Sequence, residues 1–155
     1  MLRAIEESDL PQLRDWRNSE EFRHTFREHR LLNMLNQRDW LTWVSRNPSV
    51  EMFGIQQEGS LVGVCGLCSI NWVFGTAEVS IYVATPIIGL PALKQLQHKA
   101  FEEFNLHRLW AEVYEFDLAK IALFQQAGYT LEGTLRQHVY KLGKYHNCLM
   151  FGLLR

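Results

Sequence analysis

Cys65 and Cys68 have the spacing of half a zinc site or of a redox pair. They fall within Leu61-Val-Gly-Val-Cys-Gly-Leu-Cys-Ser-Ile70, a run of strand character. In a strand, residues three apart face opposite sides of the sheet, so the two thiols point away from each other. No second ligand pair is spaced to complete a metal site. With Cys148, they read as small core residues of a reducing compartment, and no metal is expected. A different chemistry is available to Arg17 and Asn18, which could hold a phosphate or a carboxylate. The indoles of Trp40 and Trp72 could stack on a sugar or a base, or clamp an amine. Trp40 and Trp43 are also spaced for the buried face of a helix, which leaves Trp72 as the better ligand contact. His138 and His146 have the setting of solvated strand residues. Arg23, Arg27 and Arg30 are interrupted by Glu20, Glu21 and Glu28, so that segment reads as a solvated or substrate-facing helix, not a polybasic arm.

These residues must be positioned by a fold of 155 residues, a length that suits one domain with a buried core. The formal net charge of -1 gives no ground for a nucleic-acid or anionic-membrane partner. The N-terminus has no signal-like apolar run and no window reaches spanning length, so a cytoplasmic protein without a membrane partner is expected.

Periodicity supplies the elements. A short strand opens the chain, and Ser8 or Asp9 then caps a helix with Pro11 in its first turn and Leu10, Leu13 and Trp16 on one face. Further helices are expected over about 19–28 and from near Gln37 to Asn47-Pro48. A meander follows, with strands at 52–56, 61–70 and 77–83. Pro91 is expected at the first position of a helix running to about Phe104. A strand over 108–114 leads to a helix capped by Asp117 and ended by Gly128. Two strands, about 130–140 and 145–154, close the chain. This order predicts an α/β fold, a mixed central sheet with helices on both faces.

That order and the residues at its junctions resemble the GNAT superfamily over essentially the whole chain. The nearest resemblance is to the branch of ribosomal-protein N-terminal, spermidine and nucleotide-aminosugar acetyltransferases. It is carried by Leu13-Arg-Asp-Trp-Arg-Asn18, Ile70-Asn-Trp72, Thr76-Ala-Glu-Val-Ser-Ile-Tyr82 and Ala100-Phe-Glu-Glu-Phe-Asn-Leu-His-Arg108. The C-terminal half adds Ala122-Leu-Phe-Gln-Gln-Ala-Gly-Tyr129, Glu132-Gly133, Leu135-Arg-Gln-His138 and Gly143-Lys-Tyr-His-Asn147.

The resemblance implies an acetyl-CoA-dependent N-acetyltransferase acting on a primary amine: an amino sugar, a protein N-terminus or a polyamine. It also implies two parallel strands that splay apart, with the backbone of Ile81, Tyr82 and Val83 binding the pantetheine arm. Glu78 stands where the branch commonly has a glutamate and is the candidate general base; a surface or ion-paired glutamate is the alternative. The family's phosphate loop corresponds to Ala84-Thr-Pro-Ile-Ile-Gly-Leu-Pro-Ala92, which is shorter, with one glycine, two prolines and no arginine. Gly89, Leu90 and Lys120 are what remains to meet a pyrophosphate. Asp117 replaces the usual asparagine and doubles as an N-cap. Phe124 replaces the tyrosine that protonates the departing thiolate, and phenylalanine has no proton to give. Arg17, Asn18, Trp72, His138 and Tyr145 lie on segments that line the acceptor cleft of the branch, and the closing strands suit pairing with a second copy. The three departures at the cofactor site also admit a GNAT-fold binding module that has lost acetyl-CoA.

Overall fold

A computed structural model describes residues 1–155. Seven strands form one mixed sheet in the order β1-β2-β3-β4-β5-β7-β6. They are β1 (Leu2–Arg3), β2 (Glu51–Gln57), β3 (Ser60–Asn71), β4 (Thr76–Val83), β5 (Arg108–Tyr114), β6 (Thr130–Lys141) and β7 (Lys144–Leu154). The helices are α1 (Leu10–Asn18), α2 (Glu20–Arg23), α3 (Met34–Arg46), α4 (Gly89–His98) and α5 (Leu118–Gln126). All neighbouring strands are antiparallel except β4 and β5.

Alternation along the strands divides the interior between the two faces of the sheet. On one face Leu10 and Leu13 of α1 pack on Leu61 and Val64, with Trp40, Leu41 and Tyr82 alongside. On the other, Leu93 and Leu96 of α4 and Phe124 of α5 cover Cys65, Leu67, Val79, Ile81, Leu109, Ala111 and Val113. Helices therefore lie on both faces, as the element order predicts.

Several boundaries differ from the sequence reading for local reasons. The helix expected over 19–28 stops at Arg23, where the Thr25 hydroxyl turns back to the Phe22 carbonyl at 2.8 Å. An irregular segment follows as far as Asn33. There Asn33 and Asn36 exchange side-chain-to-backbone bonds of 3.0 Å, and this reciprocal cap starts α3 at Met34, three residues before Gln37. Asp9 does not cap α1. Its carboxylate accepts the Glu6 N–H at 2.8 Å and grips Arg3 at 2.7 and 2.8 Å, closing a 3-10 turn that runs straight into the helix. Pro91 is third in α4, not first, because Pro86 already opens a 3-10 turn (Pro86–Ile88) ahead of it. The last hairpin turns on Leu142 and Gly143, both at positive φ, as a tight two-residue turn requires.

Candidate active site

β4 and β5 pair only at Thr76↔Arg108, Ala77↔Leu109 and Glu78↔Trp110. Beyond Glu78 the strands diverge, so the β4 edge that faces β5 has no strand opposite it from Val79 to Val83. β4 stays paired to β3 through Val83, and β5 to β7 through Tyr114, so the opening is held rigidly on both sides. A cavity of about 440 Å³ occupies it. Its walls include Glu78, Ser80 and Ile81 of β4, Glu112 and Tyr114 of β5, and Asp117, Lys120 and Phe124 at α5. On the opposite face it reaches Arg17, the segment Thr25 to Glu28, and Trp40 and Trp43 of α3. The cavity thus connects the two faces of the sheet. A second hollow of about 320 Å³ adjoins it and shares Arg17, Phe26, Trp40 and Trp43.

Glu78 sits where the strands part, 8 % exposed. Arg27 Nη1 donates to Glu78 Oε2 at 3.2 Å, and Nη2 bonds both Glu78 Oε1 and, at 3.1 Å, Glu112 Oε2. One guanidinium therefore bridges carboxylates from the two diverging strands, and its hydrogen bonding to Glu78, reinforced by the charges of Glu78 and Glu112, holds it well above its ordinary pKa. The Arg27 segment is itself tied down. The buried Lys141 ammonium donates to the Phe26 carbonyl, and the Phe26 ring lies edge-on to Tyr82 at 5.1 Å.

Asp117 caps α5 through the Lys120 N–H at 3.1 Å, and the Lys120 ammonium returns to its carboxylate at 3.5 Å. Phe124 is buried, edge-on to Tyr129 at 4.8 Å. Of the tyrosines Tyr82, Tyr114 and Tyr129, only Tyr114 belongs to the cavity wall. The Tyr82 ring lies against Trp16 and Phe26 on the other face, and Tyr129 stands behind Phe124. Burial pushes the Tyr114 hydroxyl up to about 12, with Glu112 adding to the shift. Cys68 is half-buried and forms part of both cavity walls. Burial and the charge of Glu78 push its thiol up to about 11, so it is protonated and unreactive at neutral pH. Cys65 lies in the core.

The structure gathers some of the sequence candidates and disperses others. Glu78, Ile81, Asp117, Lys120, Phe124 and Arg17 share the cavity, while Tyr82 faces the second hollow. Val83 packs in the core, and Leu90 is half-buried against it. Gly89 is needed for packing: a Cβ there would lie 3.2 Å from the Leu123 side chain. Its N–H already donates to the Pro86 carbonyl.

Asn18 is used structurally, exchanging two bonds of 2.8 Å with the backbone of Leu32. Trp72 is not brought to the cavity. It lies half-exposed at the end of β3, bonded to the Pro48 carbonyl at 2.9 Å and edge-on to Phe104. His138 and Tyr145 are exposed on the outer strand pair, where Tyr145 packs on Tyr140. The tryptophans that do reach the cavity are Trp40 and Trp43, the pair whose spacing reads as core. Sequence reading places Arg27 in a solvated or substrate-facing segment without setting it apart from Arg23 or Arg30, and misses Glu112, because the two meet only across 85 residues of chain. No group of three or more His, Cys, Asp or Glu side chains is placed to hold a metal ion.

The sequence profile of the acetyltransferase (GNAT) domain matches residues 2–150. An SPbeta prophage-derived N-acetyltransferase of Bacillus subtilis (strain 168), YokL, whose name calls it uncharacterized, is 23 % identical over 99 % of this chain and 89 % of its own. YdaF of the same bacterium, named as a candidate ribosomal N-acetyltransferase, is 27 % identical over 66 % of this chain and 58 % of its own. Among solved structures, the spermidine N-acetyltransferase of Vibrio cholerae in complex with CoA and spermine superposes with a TM-score of 0.90 at 20 % identity. That match covers 99 % of this chain and 94 % of the other. A sheet opened between its two parallel strands, with a cavity through the opening and the acetyltransferase profile spanning both, places the chain in the GNAT family of acetyltransferases.

Proposed function

We propose that the protein transfers the acetyl group of acetyl-CoA to a primary amine. The observation that carries this reading is the cavity through the β4–β5 opening, with a buried carboxylate where the strands part. The pantetheine arm enters along the unpaired β4 edge at Ile81, Tyr82 and Val83, and a backbone N–H there polarises the thioester carbonyl. The pyrophosphate lies toward the α4 N-terminus at Gly89 and Leu90, with Lys120 swinging from Asp117 to meet it. The acceptor comes from the opposite face, past Trp40 and Trp43. Holding both substrates in one enclosed channel supplies proximity, and Glu78 takes the proton of the amine through a water. Arg27 occupies one lone pair on each Glu78 oxygen and leaves the others to accept. Phe124 forms the wall beside the sulfur, and the hydroxyl within reach of the thiolate is that of Tyr114.

Calorimetric titration with acetyl-CoA and CoA tests the cofactor half. One-to-one micromolar binding is expected. Absence of binding at millimolar ligand would replace this reading with a binding module, which the internally bonded Gly89 N–H and the donorless Pro91 favour. Glu78→Gln tests the chemical half. Turnover of an accepted amine is expected to fall by about 10²–10⁴-fold, the usual contribution of a general base, with CoA affinity retained.

The long edge strand β6 is exposed along almost its whole length, and Leu131, Leu135 and Tyr140 stand out from it. We propose that it pairs with a second copy of the chain. Sedimentation equilibrium at micromolar protein should give the dimer mass, and a monomer would refute the pairing.

A further inference from the structure

Three cations reach the cavity wall: Arg17, Arg27 and Lys120. Arg27 is neutralised by Glu78 and Glu112, and Lys120 by Asp117. Arg17 has no carboxylate. Its Nε is shut off from solvent without a hydrogen-bond partner, and its one polar contact is a long 3.5 Å approach to the Glu28 carbonyl. The Glu28 carboxylate is turned away to Arg30. The guanidinium lies 3.9 Å from the centroid of the Phe26 ring, which fixes its plane but does not cancel its charge. It stands where the two hollows meet, and Gln37, also on the wall of the second hollow, is buried with a side-chain amide that bonds nothing in the protein. A charge without a counter-ion whose Nε is shut off from water is costly, and that cost vanishes once an anion lies against it, with the unpaired amide of Gln37 on the same wall as a second donor.

We infer that Arg17 and Gln37 receive an acidic group of the acceptor, so that the substrate is a primary amine carrying a carboxylate or a phosphate, not a simple polycation. The inference rests on the acceptor side of the function proposed above. The amine end lies at Glu78 and Glu112, the acidic end at the junction of the hollows. The combined space, about 440 and 320 Å³, is in the range of small-molecule sites. Arg17 is on this account a specificity-determining residue and takes no part in proton transfer.

The test is calorimetric titration, with and without saturating CoA, using four probes: 4-aminobutyrate, O-phosphoethanolamine, butylamine and spermidine. The two anionic amines are expected to bind at least about tenfold more tightly than butylamine, the ratio that one charge-assisted contact confers. The stronger of the two tells carboxylate from phosphate. Arg17→Met should remove that advantage and raise the thermal midpoint of the unliganded protein, since it replaces an uncompensated charge by an apolar stem of similar length. A purely structural arginine would instead lower the midpoint and leave the probe ratios alone. Equal or tighter binding of spermidine or butylamine, unchanged ratios in Arg17→Met, or no binding of any probe at millimolar concentration would overturn the inference. A protein that ignores CoA yet selects anionic amines through Arg17 would keep it and lose the acetyltransferase reading.

Discussion

Arg27 is the residue on which the candidate site turns, although nothing in its local sequence sets it apart from Arg23 or Arg30. Its guanidinium is the cation shared by Glu78 and Glu112, whose side chains are only 11 % and 12 % exposed. Replacement by glutamine leaves two close carboxylates facing each other across the opening. A loss of about 1–3 kcal/mol is expected, the usual cost of depriving a nearly buried charged group of its partner. Urea unfolding of Arg27→Gln measures it. Titration with CoA should be unaffected, because Arg27 lies away from Gly89, Leu90 and Lys120, where the cofactor phosphates are proposed to bind. Glu78 itself was legible as a candidate through the resemblance, which places it where the family branch commonly has a glutamate. Its guanidinium partner was not, because that contact spans 51 residues and starts from an irregular segment.

At the scale of elements, the close pairing of β2 with β3 keeps the sheet edge in register beside the site. Gly66 lies against Glu51 and Met52, and a Cβ there would collide with the Glu51 carbonyl and the Met52 backbone. Gly66→Ala is expected to cost about 1–3 kcal/mol by overpacking, read as a lower urea midpoint. Gly152→Ala is the control. The atoms nearest its Cβ all belong to the Glu132 side chain, which can swing away at the expense of its part-exposed ion pair with Arg108, so its cost should be smaller. Element types were legible because apolar period and turn residues agree along most of the chain. Boundaries were less so. The Asn33–Asn36 cap decides where α3 begins, through a side-chain pairing that several nearby polar residues could equally have made, and the 3-10 turn at Pro86, closed by the Gly89 N–H on the Pro86 carbonyl, decides where α4 begins.

For the molecule as a whole, the charge network sets the response to acid. Hydrogen bonding from Arg3 holds the Asp9 carboxyl below its usual range, and hydrogen bonding from Arg108 does the same for Glu132. The Asn147 N–H is the main cause of the lowering at Glu115. A carboxyl lowered in the folded state contributes stability in full above its unfolded value, near pH 4. That contribution is lost as pH falls through the folded value. The thermal midpoint is therefore expected to be level from neutral pH down to about 5 and to drop below about 4. Asp9→Asn should flatten that drop and lower the plateau. A midpoint that instead falls between pH 7 and 5 would show that other groups govern the transition.

What the sequence alone determined is whatever local periodicity can encode: an α/β chain, the strand that carries Glu78, the cap at Asp117 and the short connection before α4. These follow from the two- and 3.6-residue repeats and from turn chemistry, which act over a few residues. Tertiary structure decided which candidates meet. It brought Arg17, Trp40 and Trp43 to the cavity, spent Asn18 on pinning Leu32, and left Trp72 packed on Phe104 at the end of β3. It also fixed where β4 and β5 stop pairing, and so where the channel opens. These outcomes depend on contacts between residues far apart in the chain, where residue type states what a side chain can do and only packing states what it faces.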